Sequence, residues 1–307
     1  MTRRDSRQNA LPVPRAGNAR AVVIALLVGL SGAARVDASV QSLERQMYVS
    51  VLDADGAPVA ELTVEDFTVR EDGLHREVLC VSPATKPMQV ALLVDNSVAM
   101  SPYLRDPRNG LESFVEQLAG DHEMAVITFG DRPTIVVDYT RSLIELRQAI
   151  GRIFPRPGSG TLLLDAIYNA GQGLQRRAAA RPVFVVVTTE GVEHSNRSYQ
   201  MVLRTIEDAG ATFHAVVMTA SGPSFDTGSY FRDIVLDRGS ALTGGRRINL
   251  LRGQRFQKTM EAIAAELLSQ YLLVYARPEI LVPPERIELG TTRDSLTARG
   301  RPVREAP

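Results

Sequence analysis

A single cysteine, Cys80, in a chain of 307 residues excludes an internal disulfide, a cysteine-based zinc site and a thiol redox pair. It lies in the alternating run Val78-Leu79-Cys80-Val81, where a packed thiol is the expected role. Lysine is nearly missing: Lys86 and Lys258 carry the only ammonium groups, so almost all positive charge is arginine, which coding bias accounts for. There is no excess of either charge, with 35 basic and 35 acidic residues. Six of the basic and two of the acidic residues precede Ser39, so the remainder holds 29 against 33 and is mildly acidic. Nucleic acid, which needs a concentrated basic face, is thereby excluded as a partner. No apolar run reaches the roughly 20 residues that a membrane-spanning helix needs. Catalytic signatures are missing too. Gly158-Ser159-Gly160-Thr161 lacks the Gly-Lys-Ser/Thr of a phosphate loop, no Gly-x-Ser-x-Gly elbow occurs, and Asp95-Asn96-Ser97 lacks the second Asp of a phosphatase loop. The four histidines, His75, His122, His194 and His214, are scattered; His194, four residues after Glu190, could approach the same rim, although a solvated loop residue is the plainer reading.

What remains is a folded, soluble body of one or two domains, with 44% hydrophobic and 23% charged residues. Residues 1–38 read as a targeting segment. Arg3, Arg4, Arg7, Arg15 and Arg20 precede an apolar run from Ala21 to Ala34, and Val36-Asp37-Ala38 offers small residues for cleavage. A cleaved signal peptide and export to the periplasm, cell envelope or medium are expected, with an uncleaved anchor as the alternative and no membrane span in the mature chain.

From Tyr48 to Val81 the chemistry is that of strands, with tight turns at Asp55-Gly56 and Asp72-Gly73. Residues 45–84 are therefore expected to form a small accessory β module. Residues 277–300, with possible strands at 287–289 and 295–298, are expected to complete it, leaving 301–307 as a tail. Between these, residues 87–276 alternate strands with helices, the signature of a doubly wound, mostly parallel α/β sheet of six strands. The apolar runs Gln89–Val94, Glu123–Phe129, Val183–Val187 and Thr212–Met218 are predicted strands, as are Thr134–Tyr139 and Tyr271–Tyr275. The four-residue link Gly130-Asp131-Arg132-Pro133 predicts a hairpin, so one edge strand should run antiparallel. Helices are predicted over 111–118, 143–150, 162–174, 201–209 and 256–268. Arg176, Arg177 and Arg181 form the densest basic cluster, expected at a solvated helix end.

In an open parallel sheet, ligands bind beyond the carboxyl ends of the strands. Three loops there are rich in oxygen: Asp95-Asn96-Ser97-Val98-Ala99-Met100-Ser101, then Gly158 to Asp165, then Thr188-Thr189-Glu190-Gly191. In this order and on this alternation they resemble the von Willebrand factor A family over about Met88 to Ala276. The flanking Gly56 to Val59, Glu65-Asp66-Phe67, Glu71-Asp72-Gly73 and Gln270-Tyr271 resemble the bacterial exported subgroup of that family.

The resemblance implies a Rossmann-like domain with a metal-ion-dependent adhesion site, built from Asp-x-Ser-x-Ser, a distant Thr and a further Asp. Carried over, the metal ligands are Asp95, Ser97, Thr161 and Glu190, with Asn96, Ser101 and Asp165 in support. Ala99 replaces the second Ser and Glu190 the last Asp, so the site is degenerate. The implied ion is Mg²⁺, which prefers six oxygens in octahedral array at about 2.0–2.1 Å. An acidic side chain of a protein partner would complete its shell. The implied function is protein binding, as an adhesion or scaffold module and not as an enzyme. Two alternatives stay open: a metal-assisted hydrolase using Asp95 and Glu190, and a scaffold that has lost its metal, in which Asp95 and Ser97 only satisfy loop backbone groups. Asp165 has its own alternative, a first-turn acid favoured by the helix dipole.

Overall fold

A computed structural model describes residues 42–303 apart from 104, 220–226, 252–254, 279–281 and 283. The expected targeting segment and the last residues of the tail lie outside that range. The elements run β1 (Ser42–Leu52), β2 (Phe67–Glu71), β3 (Leu74–Arg76), β4 (Val78–Pro83), β5 (Gln89–Val94), α1 (Arg105–Leu118), β6 (Glu123–Thr128), β7 (Thr134–Thr140), α2 (Leu143–Gly151), α3 (Leu163–Arg176) and β8 (Pro182–Thr189). They continue as α4 (Tyr199–Ala209), β9 (Thr212–Met218), α5 (Thr227–Leu242), β10 (Arg247–Leu250), α6 (Phe256–Leu268), β11 (Tyr271–Pro278), β12 (Ile287–Thr291) and β13 (Thr297–Pro302).

The main sheet has six strands in the order β10-β9-β8-β5-β6-β7. Its pairs are parallel except the last, where β7 returns antiparallel to β6 through the short connection at 130–133. Every residue of β8 and β9 is buried, as suits central strands covered on both faces. Helices cover both faces. On one side Leu111, Phe114, Val115 and Leu118 of α1 join Met260, Ile263 and Leu267 of α6 over Val90, Leu92 and Val185. On the other, Leu163, Ile167, Ala170 and Leu174 of α3 repeat at helical spacing and pack with Val202 and Ile206 of α4. Local signals agree with these boundaries. Ser198 caps α4 by accepting from the Met201 N–H, and Gly210 ends it in the left-handed conformation, φ +67°.

Two smaller sheets, β13-β1-β11-β4 and β12-β2-β3, enclose a separate core of Met47, Val49, Val51, Phe67, Val69, Leu273 and Tyr275. Tyr271–Tyr275 is thus not the last strand of the main sheet. It belongs to β11, paired antiparallel with β1 and β4, and its burial alternates as befits a strand with one face on a core. The sixth place in the main sheet falls to β10. Cys80, expected to be packed, is exposed on the outer strand β4.

The small sheets meet the main sheet through arginines. The buried Arg181 guanidinium donates to the carbonyls of Ala84 (3.0 Å), Lys86 (3.3 Å) and Leu267 (2.6 Å) and to Gln270 Oε1 (2.8 Å), and lies over the Tyr48 ring. Burial lowers its pKa to about 10, so it stays charged at neutral pH. Nearby, Glu266 of α6 pairs with Arg246 and with Arg299 of β13, beside the fully buried His214.

Candidate functional site

The carboxyl ends of β5 and β8 lie side by side, Val94 opposite Val187, so the loops that follow them are forced together. Asp95 is completely buried and held from both sides. Its Oδ1 accepts the Ser97 N–H (2.7 Å), and its Oδ2 accepts the Thr189 N–H (3.2 Å) and hydroxyl (2.8 Å), with the Thr188 hydroxyl at 3.5 Å. A carboxylate so supplied with donors is held in one orientation. Ser97 is equally buried, yet its Oγ has no hydrogen-bond partner among the described residues.

Asn96 ties the first loop to its neighbours. Its Oδ1 accepts from Gly130 N–H (2.8 Å), its amide donates to Phe154 O (3.2 Å), and its carbonyl accepts from Arg156 N–H (2.8 Å). Gly130 must be glycine for this, because a Cβ there would stand 2.5 Å from the Asn96–Ser97 peptide. The support expected of Asn96 is therefore mechanical.

Thr161, also buried, is drawn to the third loop. It forms a bridge with Glu193, its N–H donates to Val192 O, and its hydroxyl lies 3.1 Å from both Val192 O and Glu193 Oε2. Glu193 further accepts from Leu163 N–H (3.3 Å) and Ser195 N–H (3.0 Å). Burial raises its pKa against the pull of those hydrogen bonds.

Of the residues the sequence put forward, Asp95, Asn96 and Ser97 share the first loop, and Thr161 comes near Thr189, which holds Asp95: a Cβ on Gly191 would stand 3.2 Å from Thr189 Oγ1 and 3.7 Å from Thr161 Cγ2. Glu190 follows Thr189, which holds Asp95, in the third loop. Burial raises its pKa, and Arg232 and Arg247 oppose the rise while Asp233 adds to it. Arg232, almost fully buried, donates to Gly191 O in the same loop. Ala99 packs where Gly191 leaves space, since a Cβ on Gly191 would come within 2.9 Å of the Ala99 methyl. Ser101 is exposed on the 3-10 turn Val98–Tyr103. Asp165 pairs with Arg197 (3.4 Å), while its N–H donates to the Ser195 hydroxyl. Sequence reasoning did not single out Thr189, Glu193 or Arg232. The second acid in Thr188-Thr189-Glu190-Gly191-Val192-Glu193 was a visible signal for Glu193; nothing marked Arg232, 41 residues from Gly191.

Could these residues hold a divalent cation? Among the described residues no group of three or more His, Cys, Asp or Glu is arranged to do so. The donor set here is instead mixed, one fixed carboxylate and two hydroxyls, and the orphaned Ser97 Oγ is the observation that fits a missing partner. Asp95, Ser97 and Thr161 suit a hard cation in three of the roughly six positions it needs. Ala99 supplies no fourth.

A doubly wound sheet with buried oxygen donors on the loops at its carboxyl edge defines a class of α/β binding domain. Residues 90–192 match the model of the von Willebrand factor type A domain. Among solved structures, proximal thread matrix protein 1 from the mussel byssus is 17% identical with a TM-score of 0.51, the match covering 65% of this chain and 50% of that one. A von Willebrand factor type A protein from Catenulispora acidiphila is 10% identical (TM-score 0.49; 86% and 74% covered), and BatB from Bacteroides thetaiotaomicron 15% identical (TM-score 0.45; 59% and 97% covered). At these identities the likeness concerns the fold alone. No curated protein matches the sequence.

Proposed function

We propose that the chain is an exported protein–protein interaction module, and that the loop face around Asp95, Ser97 and Thr161 engages an acidic group of another protein with Mg²⁺ between them. The single observation that carries this reading is the buried Ser97 hydroxyl without a partner, beside a carboxylate locked by Thr189. Burying a hydroxyl unsatisfied costs about 1–3 kcal/mol, so its retention is best explained by a ligand. Domains of this family often hold a divalent metal at this edge. When bound, the ion would supply positive charge that accepts a partner's carboxylate oxygen. The protein's own part is to hold Asp95, to offer the lone pairs of Ser97 and Thr161, and to keep water from the floor of the site.

Glu190, next to Thr189 in the third loop, is the remaining acid of the proposed ligand set. We also propose that the A domain and the β module built from both ends of the described chain act as one unit, because Arg181 and Glu266 bind them together. Export rests on the arginine-rich, then apolar, first 38 residues; among the described residues no helix is long and apolar enough to cross a membrane. The test is a pull-down from the native envelope fraction with the wild-type chain, Asp95→Ala and Ser97→Ala, each with Mg²⁺ and with EDTA. A partner retained only by the wild type in Mg²⁺ supports the reading. Partners insensitive to all of these would favour a scaffold that has lost its metal.

A further inference from the structure

On the α3 side of the main sheet a groove opens between α3 and the edge strand β7. α5, α4 and α3 lie over β9, β8 and β5, while α2 packs on β6 and β7 from the opposite face. The groove holds about 470 Å³ and reaches down to the buried Ala125 and Ile127 of β6, with α3 on one side and β7 on the other. Here Ile135 is 62% exposed at the groove's outer wall. Tyr139 also lines it, and its buried hydroxyl has no partner among the described residues.

The mouth is charged. Arg176 and Arg177, the basic cluster at the end of α3, both line the groove. Arg177 stacks 4.5 Å over the Tyr139 ring and pairs with Asp138 at 2.9 Å. Arg176 is exposed and has no carboxylate partner among the described residues. Two cations against one acid leave an excess of positive charge at this end.

We propose that the groove takes a short amphipathic helix of a partner protein, apolar along one stripe and acidic at the end that meets Arg176 and Arg177. The length follows from α3: Ala166 to Arg177 spans about 16 Å at 1.5 Å per residue, three turns. Ala166, Ala170 and Gly173 on the α3 wall are small enough for a second helix to approach at the close end of the usual 8–10 Å. An extended strand suits the place less well. The groove lies over the sheet face and not along its edge, and the β6–β7 pairing shifts register twice, which spoils β7 as a template. This surface is separate from the Asp95 loops and does not depend on a metal there.

The experiment uses a displayed library of N-capped helical peptides of about 12 residues, three turns long, selected on the full chain. Selected peptides are then titrated by fluorescence anisotropy against the wild type, Ile135→Asp, Arg176→Glu and Asp95→Ala, each first shown to be folded by circular dichroism. The expected result is enrichment of apolar residues at i, i+3 or i+4 and i+7 with a terminal acid. Affinity should fall at least about tenfold in both groove variants and stay unchanged in Asp95→Ala. Selection of extended sequences, of no sequences, or of helices indifferent to Ile135→Asp and Arg176→Glu would overturn the proposal. Because Asp95→Ala is scored separately, failure here leaves the loop-face reading standing.

Discussion

Replacing Glu266 by Gln should show how firmly the β module is fixed to the A domain. The carboxylate is 1% exposed, 2.6 Å from Arg246 and 2.8 Å from Arg299, with His214 beside it. Burial alone would push its pKa up, but the neighbouring charges, Arg246 and Arg299 among them, hold it below the usual carboxylate range. Gln keeps the shape and loses the charge, so two guanidinium groups are left facing one another. Breaking a buried pair typically costs 3–5 kcal/mol. Arg246 and Arg299 keep 21% and 25% of their side-chain surface in water, which places this case at the low end, about 3 kcal/mol. For a body of this size that lowers Tm by about 6–12 °C. Urea unfolding followed by circular dichroism measures it, with the m-value showing whether the unit still unfolds in one step. A loss under about 1 kcal/mol would refute the reasoning, since the cluster would then be solvated and not structural.

Other outcomes follow from the same contacts. His214 is fully buried, faced by Glu266, Arg246 and Arg299, and burial holds its pKa down to about 4 from 6.5. The folded state therefore keeps it neutral while the unfolded chain takes up a proton, so stability should fall as pH drops from 6.5 towards 4, by about 3 kcal/mol. His214→Gln should flatten that part of a stability–pH curve; an unchanged curve would count against the assignment. Arg181→Met leaves three carbonyls and Gln270 without their donor and should cost about 2–4 kcal/mol in urea unfolding. Ala99→Ser adds the hydroxyl that the loop lacks, at a Cβ facing the open side of Gly191, and should tighten divalent-cation binding in calorimetry by about tenfold. No gain would mean that Ala99 faces away from the ligand.

The sheet was legible where burial is complete. Gln89–Val94, Val183–Val187 and Thr212–Met218 read as strands because every side chain faces a core, and the edge hairpin because only four residues join its strands. The elements that were missed carry little pattern. β10 is Arg-Ile-Asn-Leu, four residues at an edge, and α5 has a weak apolar stripe with Gly228 and Gly239 inside it. Tyr271–Tyr275 was read into the wrong sheet because local chemistry names a strand and not its partner. At the site, residues contiguous with Asp95 could be read directly. The partners that hold these loops could not: Thr189 reaches Asp95 through sheet register, Glu193 reaches Thr161 from the third loop, and Arg232 reaches Gly191 from α5.

The central claim, that Asp95, Ser97 and Thr161 form a divalent-cation site on the loop face, is tested most directly by calorimetric titration of the chain with Mg²⁺ and Mn²⁺. The account predicts saturable heat at one site per chain, lost in Asp95→Ala and weakened in Ser97→Ala and Thr161→Ala. Absence of heat, or heat indifferent to Asp95→Ala, would contradict it.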